Sequence, residues 1–219
     1  MLTSFWAPIK LSLTVTVAAG AIVVIVGTLL GFVFAKKQFK GKLFCETVFM
    51  LPLVLPPSVV GFLLIIVFGN QSVVGKAIKT VFGQSIIFTW YAAVIAAAVV
   101  AFPLMFQTAK AGFQGVAQKF EEAAKDLGAT NGQVFMKVSL PLAKRALLTG
   151  TILSCTRALG EFGATLMFAG NIPGVTQTVP TAIYMAIDSG NMTFAWLWVI
   201  VIVLGSFLLL LFTQSKAND

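Results

Sequence analysis

The amino-acid sequence predicts an all-α integral membrane protein with five spanning helices and one sizeable helical loop on the cytoplasmic side. Three observations predict it. Hydrophobic residues fill 58% of the 219 positions and charged residues 10%, with twenty Phe, a balance too apolar for a water-exposed globular domain of this size. Five segments, 11–35, 47–69, 86–107, 146–169 and 194–213, reach the roughly 20 apolar residues needed to cross about 30 Å of hydrocarbon. The basic residues also fall on one set of segment ends, eleven against three, and cytoplasmic ends are the basic ones. That rule places Lys36, Lys37, Lys40, Lys42, the lysines and Arg145 of 108–145, and Lys216 inside, with Lys10, Lys76 and Lys79 outside. The amino terminus is then outside and the carboxyl terminus cytoplasmic. Topology accounts for most of the net charge of +8, so no nucleic-acid partner is needed.

The first segment is too long for the core of a signal peptide. It ends in Lys36 and Lys37 with no small-residue cleavage site, as a retained helix would. The second contains Pro52, Pro56 and Pro57, each of which lacks a backbone donor and disfavours a regular helix. Carbonyls freed at membrane depth must be buried in protein or line a wet cavity, which makes this span a candidate pathway wall, hinge or gate. A structural kink between packed helices is the competing reading.

Between segments three and four lies a polar loop, 108–145. Phe113, Val116, Phe120, Ala123, Ala124 and Leu127 recur at helical spacing and predict one apolar face. Gly128 follows where a helix end favours positive φ. Thr130 with Gln133 has the form of a capping box that opens a short second helix, with Val134, Phe135 and Val138 on its apolar side. Pro141 suits the first turn of the fourth span. Periodicity alone serves a helix lying on lipid as well as one seated in a groove of a partner.

Segment four carries Arg157 and Glu161, the two charged residues well inside a predicted span. Charges there are costly and face protein or water. Four residues apart, the two are expected to pair across one helical turn. Gly160 and Gly163 permit close helix approach. The apolar run 179–187 is too short to span and is read as a re-entrant or surface helix, with a tilted sixth span as the alternative. Cys45 and Cys155 lie on different spans and are expected to be free thiols.

Glu122, Ala123 and Ala124, three residues, Gly128, nine residues, then Val138, Ser139, Leu140 and Pro141 are similar to the EAA loop of ABC importer permeases. The one departure is Val138, where the pattern has isoleucine. Stretches 51–62 (LPLVLPPSVVGF) and 156–184 (TRALGEFGATLMFAGNIPGVTQTVPTAIY) resemble the molybdate and sulfate branch, the second stretch more the molybdate permeases. The resemblance implies a single type I-like permease domain over 1–219, with Glu122, Ala123, Ala124, Gly128, Val138, Leu140 and Pro141 as the coupling element. It also implies a cytoplasmic ATPase dimer carrying ATP and Mg, an extracytoplasmic oxyanion-binding protein, and molybdate or tungstate as substrate. Pro56, Pro57, Arg157, Glu161 and Gly163 are the pathway or gate candidates. In that reading Arg157 gives an oxyanion a passing foothold and Glu161 keeps the site from becoming a trap.

No P-loop pattern, no histidine and no clustered carboxylates or thiols occur, so the chain is expected to be a non-catalytic subunit that binds no cofactor of its own. Five spans and one loop, against the two clefts of an ATPase dimer, predict a symmetric homodimer in the cell membrane. The alternatives are a sulfate or thiosulfate permease, a channel or ion-coupled carrier independent of ATPase, and a membrane scaffold whose loop recruits a cytoplasmic protein.

Overall fold

The computed structural model describes residues 2–218, and no β-strand occurs among them. Helix α1 (Leu2–Lys36) has 35 residues, about 50 Å of helix, so one end extends beyond a hydrocarbon layer of about 30 Å. Its apolar stretch Phe5–Lys36 is long enough to cross alone.

The expected second span is instead two helices, α2 (Lys42–Val54) and α3 (Pro57–Phe68), bent by 120°. Pro52 is tolerated inside α2, whereas the adjacent Pro56 and Pro57 are not continuable. Each proline pushes the residue before it out of the α region, and Leu55 and Pro56 are extended, with ψ of 144° and 136°. Pro57 then opens α3, where its missing N–H costs nothing. Helix α4 (Val73–Phe82), absent from the sequence expectation, is capped by Ser72, whose Oγ accepts from the Gly75 N–H at 2.8 Å.

Helix α5 (Trp90–Gln114) starts later than expected and continues past Gln107. Its apolar side runs on through Met105, Phe106, Ala109 and Phe113, all buried, so nothing ends the helix where the hydropathy drops. Helices α6 (Gln118–Asp126) and α7 (Asn131–Val134) follow; a π turn, Phe135–Ser139, leads into α8 (Leu140–Leu159). The expected fourth span, 146–169, is therefore corrected. It starts earlier, breaks at 160–162, and resumes as α9 (Gly163–Ala169).

Helix α10 (Val179–Asp188) is a short helix as expected, and its 10 residues, about 15 Å, end too soon for a sixth span. Helix α11 (Met192–Asn218) has 27 residues and is apolar over Met192–Phe207. The two pack on the start of α1: the Trp198 indole N–H donates to the Phe5 carbonyl at 3.1 Å, and the Val179 N–H donates to Ser12 Oγ at 2.8 Å.

The core centres on α5, gripped between α1 and α8 and touched by α9. Ala92, Ala93, Ala96, Ala97, Ala101 and Ala109 make it a seam of small side chains, all buried. In lipid, helices associate by close packing rather than by hydrophobic drive, so small residues are what a central helix needs. At Gly31 of α1 an added Cβ would lie 2.6 Å from the Ala109 Cβ, too near for any other residue without helix displacement.

Candidate functional site

The loop between α5 and α8 is almost wholly helical. Only 115–117 and 127–130 lie outside helices. Its expected single apolar face is divided by the break at 115–117. Phe113 and Val116 are buried in the bundle, whereas Phe120 and Leu127 are 49% and 89% exposed. Ala123 is exposed beside them and Ala124 is half-buried. Helix α6 therefore turns an uncovered apolar edge outward.

At the end of α6 the Ala129 N–H donates to the Ala124 carbonyl (3.0 Å) and the Gly128 N–H to that of Lys125 (2.8 Å), the paired bonds of a Schellman turn. Gly128 has φ of +86°, which only glycine adopts without cost. The capping box forms as expected: the Thr130 N–H donates to Gln133 Oε1 at 2.8 Å and the Gln133 N–H to Thr130 Oγ1 at 3.4 Å. Val134 is buried, and the Phe135 ring lies 4.6 Å from that of Phe32, centre to centre, in an edge contact. The short helix is thereby pinned to α1.

Pro141 lies in the first turn of α8, as the sequence predicts, although α7 and the π turn run into α8 without a gap. The helical run is unbroken from Asn131 to Leu159, with Pro141 just after the π turn. There the Leu140 N–H reaches back to the Phe135 carbonyl. Hydrogen bonding changes register at that point, where a residue without an N–H does least harm. Val138 and Leu140 are half-buried and Pro141 is exposed.

Of the two glutamates that open α6, Glu122 faces out and takes a hydrogen bond from Gln118 Nε2 at 2.7 Å. Glu121 faces in. Its Oε1 lies 2.9 Å from Lys36 Nζ and accepts from Ser139 Oγ at 2.7 Å. Sequence spacing could not find this cluster, because Lys36, Glu121 and Ser139 belong to three separate elements. A second cross-tie, Lys110 Nζ to Glu46 at 2.7 Å, joins α5 to α2 at the same end.

The pathway candidates meet through the two helix breaks. A Cβ added to Gly163 would lie 2.9 Å from the Pro57 Cβ, and one added to Gly61 would lie 2.7 Å from the Met167 Cβ, so α3 and α9 are in backbone contact. Pro56 and Pro57 are exposed. Arg157 and Glu161 pair as expected at 2.7 Å, but not along a continuous helix, since Glu161 stands just beyond the end of α8. The side chain of Glu161 is 1% exposed and that of Arg157 28%. Glu161 Oε1 also accepts from the Ala164 N–H at 2.8 Å, so the one carboxylate closes α8 and opens α9. Cys45 and Cys155 are free thiols.

Residues 24–215 match the family described as the inner membrane component of binding-protein-dependent transport systems. The chain belongs to this family. This permease is 59% identical over 98% of its length to YvgM of Bacillus subtilis (strain 168), named for a molybdenum transport system permease, and covers 94% of that chain. It is 41% identical over 84% of its length to the molybdenum transport system permease protein ModB of Escherichia coli (strain K12), covering 80% of it. The cysT chain of Prototheca wickerhamii, named for sulfate transport, is 38% identical over 75% of this chain, which covers 64% of that relative. Among solved structures, the bacterial alginate ABC transporter in complex with an alginate pentasaccharide-bound periplasmic protein gives a TM-score of 0.76 at 16% identity, covering 96% of this chain and 77% of the other. The fold of this multi-pass permease is that of the type I ABC importers.

Proposed function

We propose that this permease is the translocation subunit of an ATP-driven molybdate importer. The observation that carries the coupling half of the proposal is the uncovered apolar edge of α6, Phe120, Ala123 and Leu127, on a turn stiffened at Gly128 and Thr130. A helix whose apolar edge is unsatisfied by its own chain suits a groove on a partner. The partner is a cytoplasmic ATPase dimer that holds ATP and Mg; this chain supplies Glu122, Ala123, Ala124, Gly128, Val138, Leu140 and Pro141 to the joint. The whole of 1–219 acts as one permease domain, with its amino terminus outside and its carboxyl terminus cytoplasmic. Two copies form a homodimer and present two α6 helices to two clefts.

ATP binding closes the ATPase dimer and draws the α6 helices together. The motion tilts α1, α5 and α8 and opens a route outward, where an oxyanion-binding protein delivers substrate. Hydrolysis and product release restore the inward-open state. The paired breaks at Pro56, Pro57 and at 160–163 are the candidate gate, with Arg157 as a passing contact for the anion and Glu161 limiting its hold. Molybdate is favoured by the relatives named for molybdenum transport, and tungstate, of the same shape and charge, is the second candidate. Sulfate is the competing substrate, because a relative named for sulfate transport also matches.

The test is uptake of radiolabelled molybdate by vesicles containing this permease, its ATPase and its binding protein, with and without ATP and with excess sulfate. Uptake that requires ATP and resists sulfate supports the importer and its substrate. ATP-dependent uptake abolished by sulfate moves the substrate, and uptake indifferent to ATP sinks the coupling.

A further inference from the structure

The Glu121 carboxylate of α6 joins that helix to the end of α1 and to the π turn that leads into α8. One oxygen takes the Lys36 ammonium from the last turn of α1 and the Ser139 hydroxyl from the π turn that begins α8. The side chains of Lys36 and Glu121 are 24% and 13% exposed, and Ser139 is fully buried, so the cluster is largely screened from solvent. It is composed of charge-assisted contacts, which are shorter and stronger than neutral ones. Most of the rest of α6, with the Leu127 that follows it, turns outward: Glu122, Ala123, Lys125, Asp126 and Leu127 are exposed. Glu121 thus holds the inner side of a helix whose outer side is free.

We infer that Glu121 is a positioning residue that transmits movement of α6 to α1 and α8 together. Apolar contacts tolerate sliding, whereas a carboxylate bonded to two elements moves them with it. Helices α1 and α8 both pack on the central α5, so a pull on α6 reaches the core from two sides at once. The inference rests on the coupling reading above and adds to it the route by which force enters the membrane helices. It separates two roles of adjacent residues: Glu122 and Leu127 face the partner, and Glu121 faces the bundle.

The test has two parts, both on the full-length chain. In nanodiscs without partners, amide hydrogen exchange over 118–126 reads the fastening itself. Glu121→Gln, nearly isosteric, is expected to raise exchange there and leave that of α5 unchanged. In vesicles with ATPase and binding protein, the readout is molybdate imported per ATP hydrolysed, with bound ATPase subunit measured in parallel. Glu121→Gln is expected to keep the ATPase subunit bound and lower the ratio about fivefold or more, the span of a typical coupling free energy. Lys36→Gln and Ser139→Ala lower it less, and the reversal Lys36→Glu with Glu121→Lys recovers part of the loss by restoring the ion pair. Unchanged exchange, an unchanged ratio, loss of bound ATPase in step with transport, or a reversal that recovers nothing would each overturn the inference. Failure of the coupling reading appears separately, as wild-type vesicles whose uptake ignores ATP, while the exchange measurement still decides the fastening.

Discussion

Gly163 and Pro57 touch across the two helix breaks, so closely that a methyl group on Gly163 would lie 2.9 Å from the Pro57 Cβ. Ser58 N lies 3.3 Å from the same point, so both a rigid ring and backbone stand in the way. Neither can swing aside. Gly163→Ala should therefore push α9 from α3 at a cost of about 1–3 kcal/mol, the usual penalty of overpacking. The expected result is a lower midpoint of thermal unfolding in detergent together with reduced uptake. Wild-type behaviour in both would mean the two breaks move independently.

The carboxylate next to this contact does two jobs that can be separated by substitution. Glu161→Gln keeps an oxygen for the Ala164 N–H and removes the charge facing Arg157. Glu161→Ala removes both and leaves Arg157 without its partner. Breaking a buried pair from one side costs about 3–5 kcal/mol, and here less, because Arg157 is partly exposed. Thermal inactivation of the purified permease should rank wild type above Gln above Ala. Equal losses for Gln and Ala would assign the whole effect to charge and none to the cap of α9.

What was legible in the sequence was local. Gly128 and the box of Thr130 and Gln133 are signals whose cause lies within four residues, and each took the conformation expected. The bend after Val54 was half legible: adjacent prolines predict a break, but its angle depends on what α3 packs against. The interruption at 160–162 has Gly160 and the charged Glu161 as its signals, but a glutamate four residues after Arg157 suits a pair on one continuous helix equally well, so spacing does not reveal the break. The overrun of α5 to Gln114 was missed for the opposite reason. Thr108 and Lys110 look like a loop, while Ala109 and Phe113 between and beyond them are buried. Glu121 was missed because an ion pair with Lys36 has no spacing to detect.

Gly128 tests the stiffness of the turn. Its φ of +86° costs a β-branched residue about 1–2 kcal/mol, and no neighbour lies within 4 Å of an added Cβ, so the penalty is conformational alone. Gly128→Val should lower transport while leaving membrane level and α-helix content unchanged. Gly128→Asn should do less harm, since Asn tolerates that region. Normal transport by a well-expressed Val variant would falsify the turn as a mechanical part.

Leu127 decides whether the outward edge of α6 is a contact surface or merely exposed. At 89% exposure it contributes almost nothing to the fold of the single chain, so Leu127→Glu should change stability by no more than about 0.5 kcal/mol. A docked apolar side chain at the centre of an interface behaves differently, because truncating or charging it costs more than about 1 kcal/mol and often 2 or more. Binding of the ATPase subunit should then weaken at least about fivefold. Phe120, 49% exposed with the Lys119 ammonium 5.3 Å from its ring centre, should show the same pattern more weakly on Phe120→Ala. The deciding comparison is co-purification of the ATPase subunit against unfolding temperature for each variant. A permease that keeps its melting midpoint but loses its ATPase places the joint on this edge. One that keeps both leaves α6 as a helix lying on lipid, and the coupling element would have to be sought elsewhere on the chain.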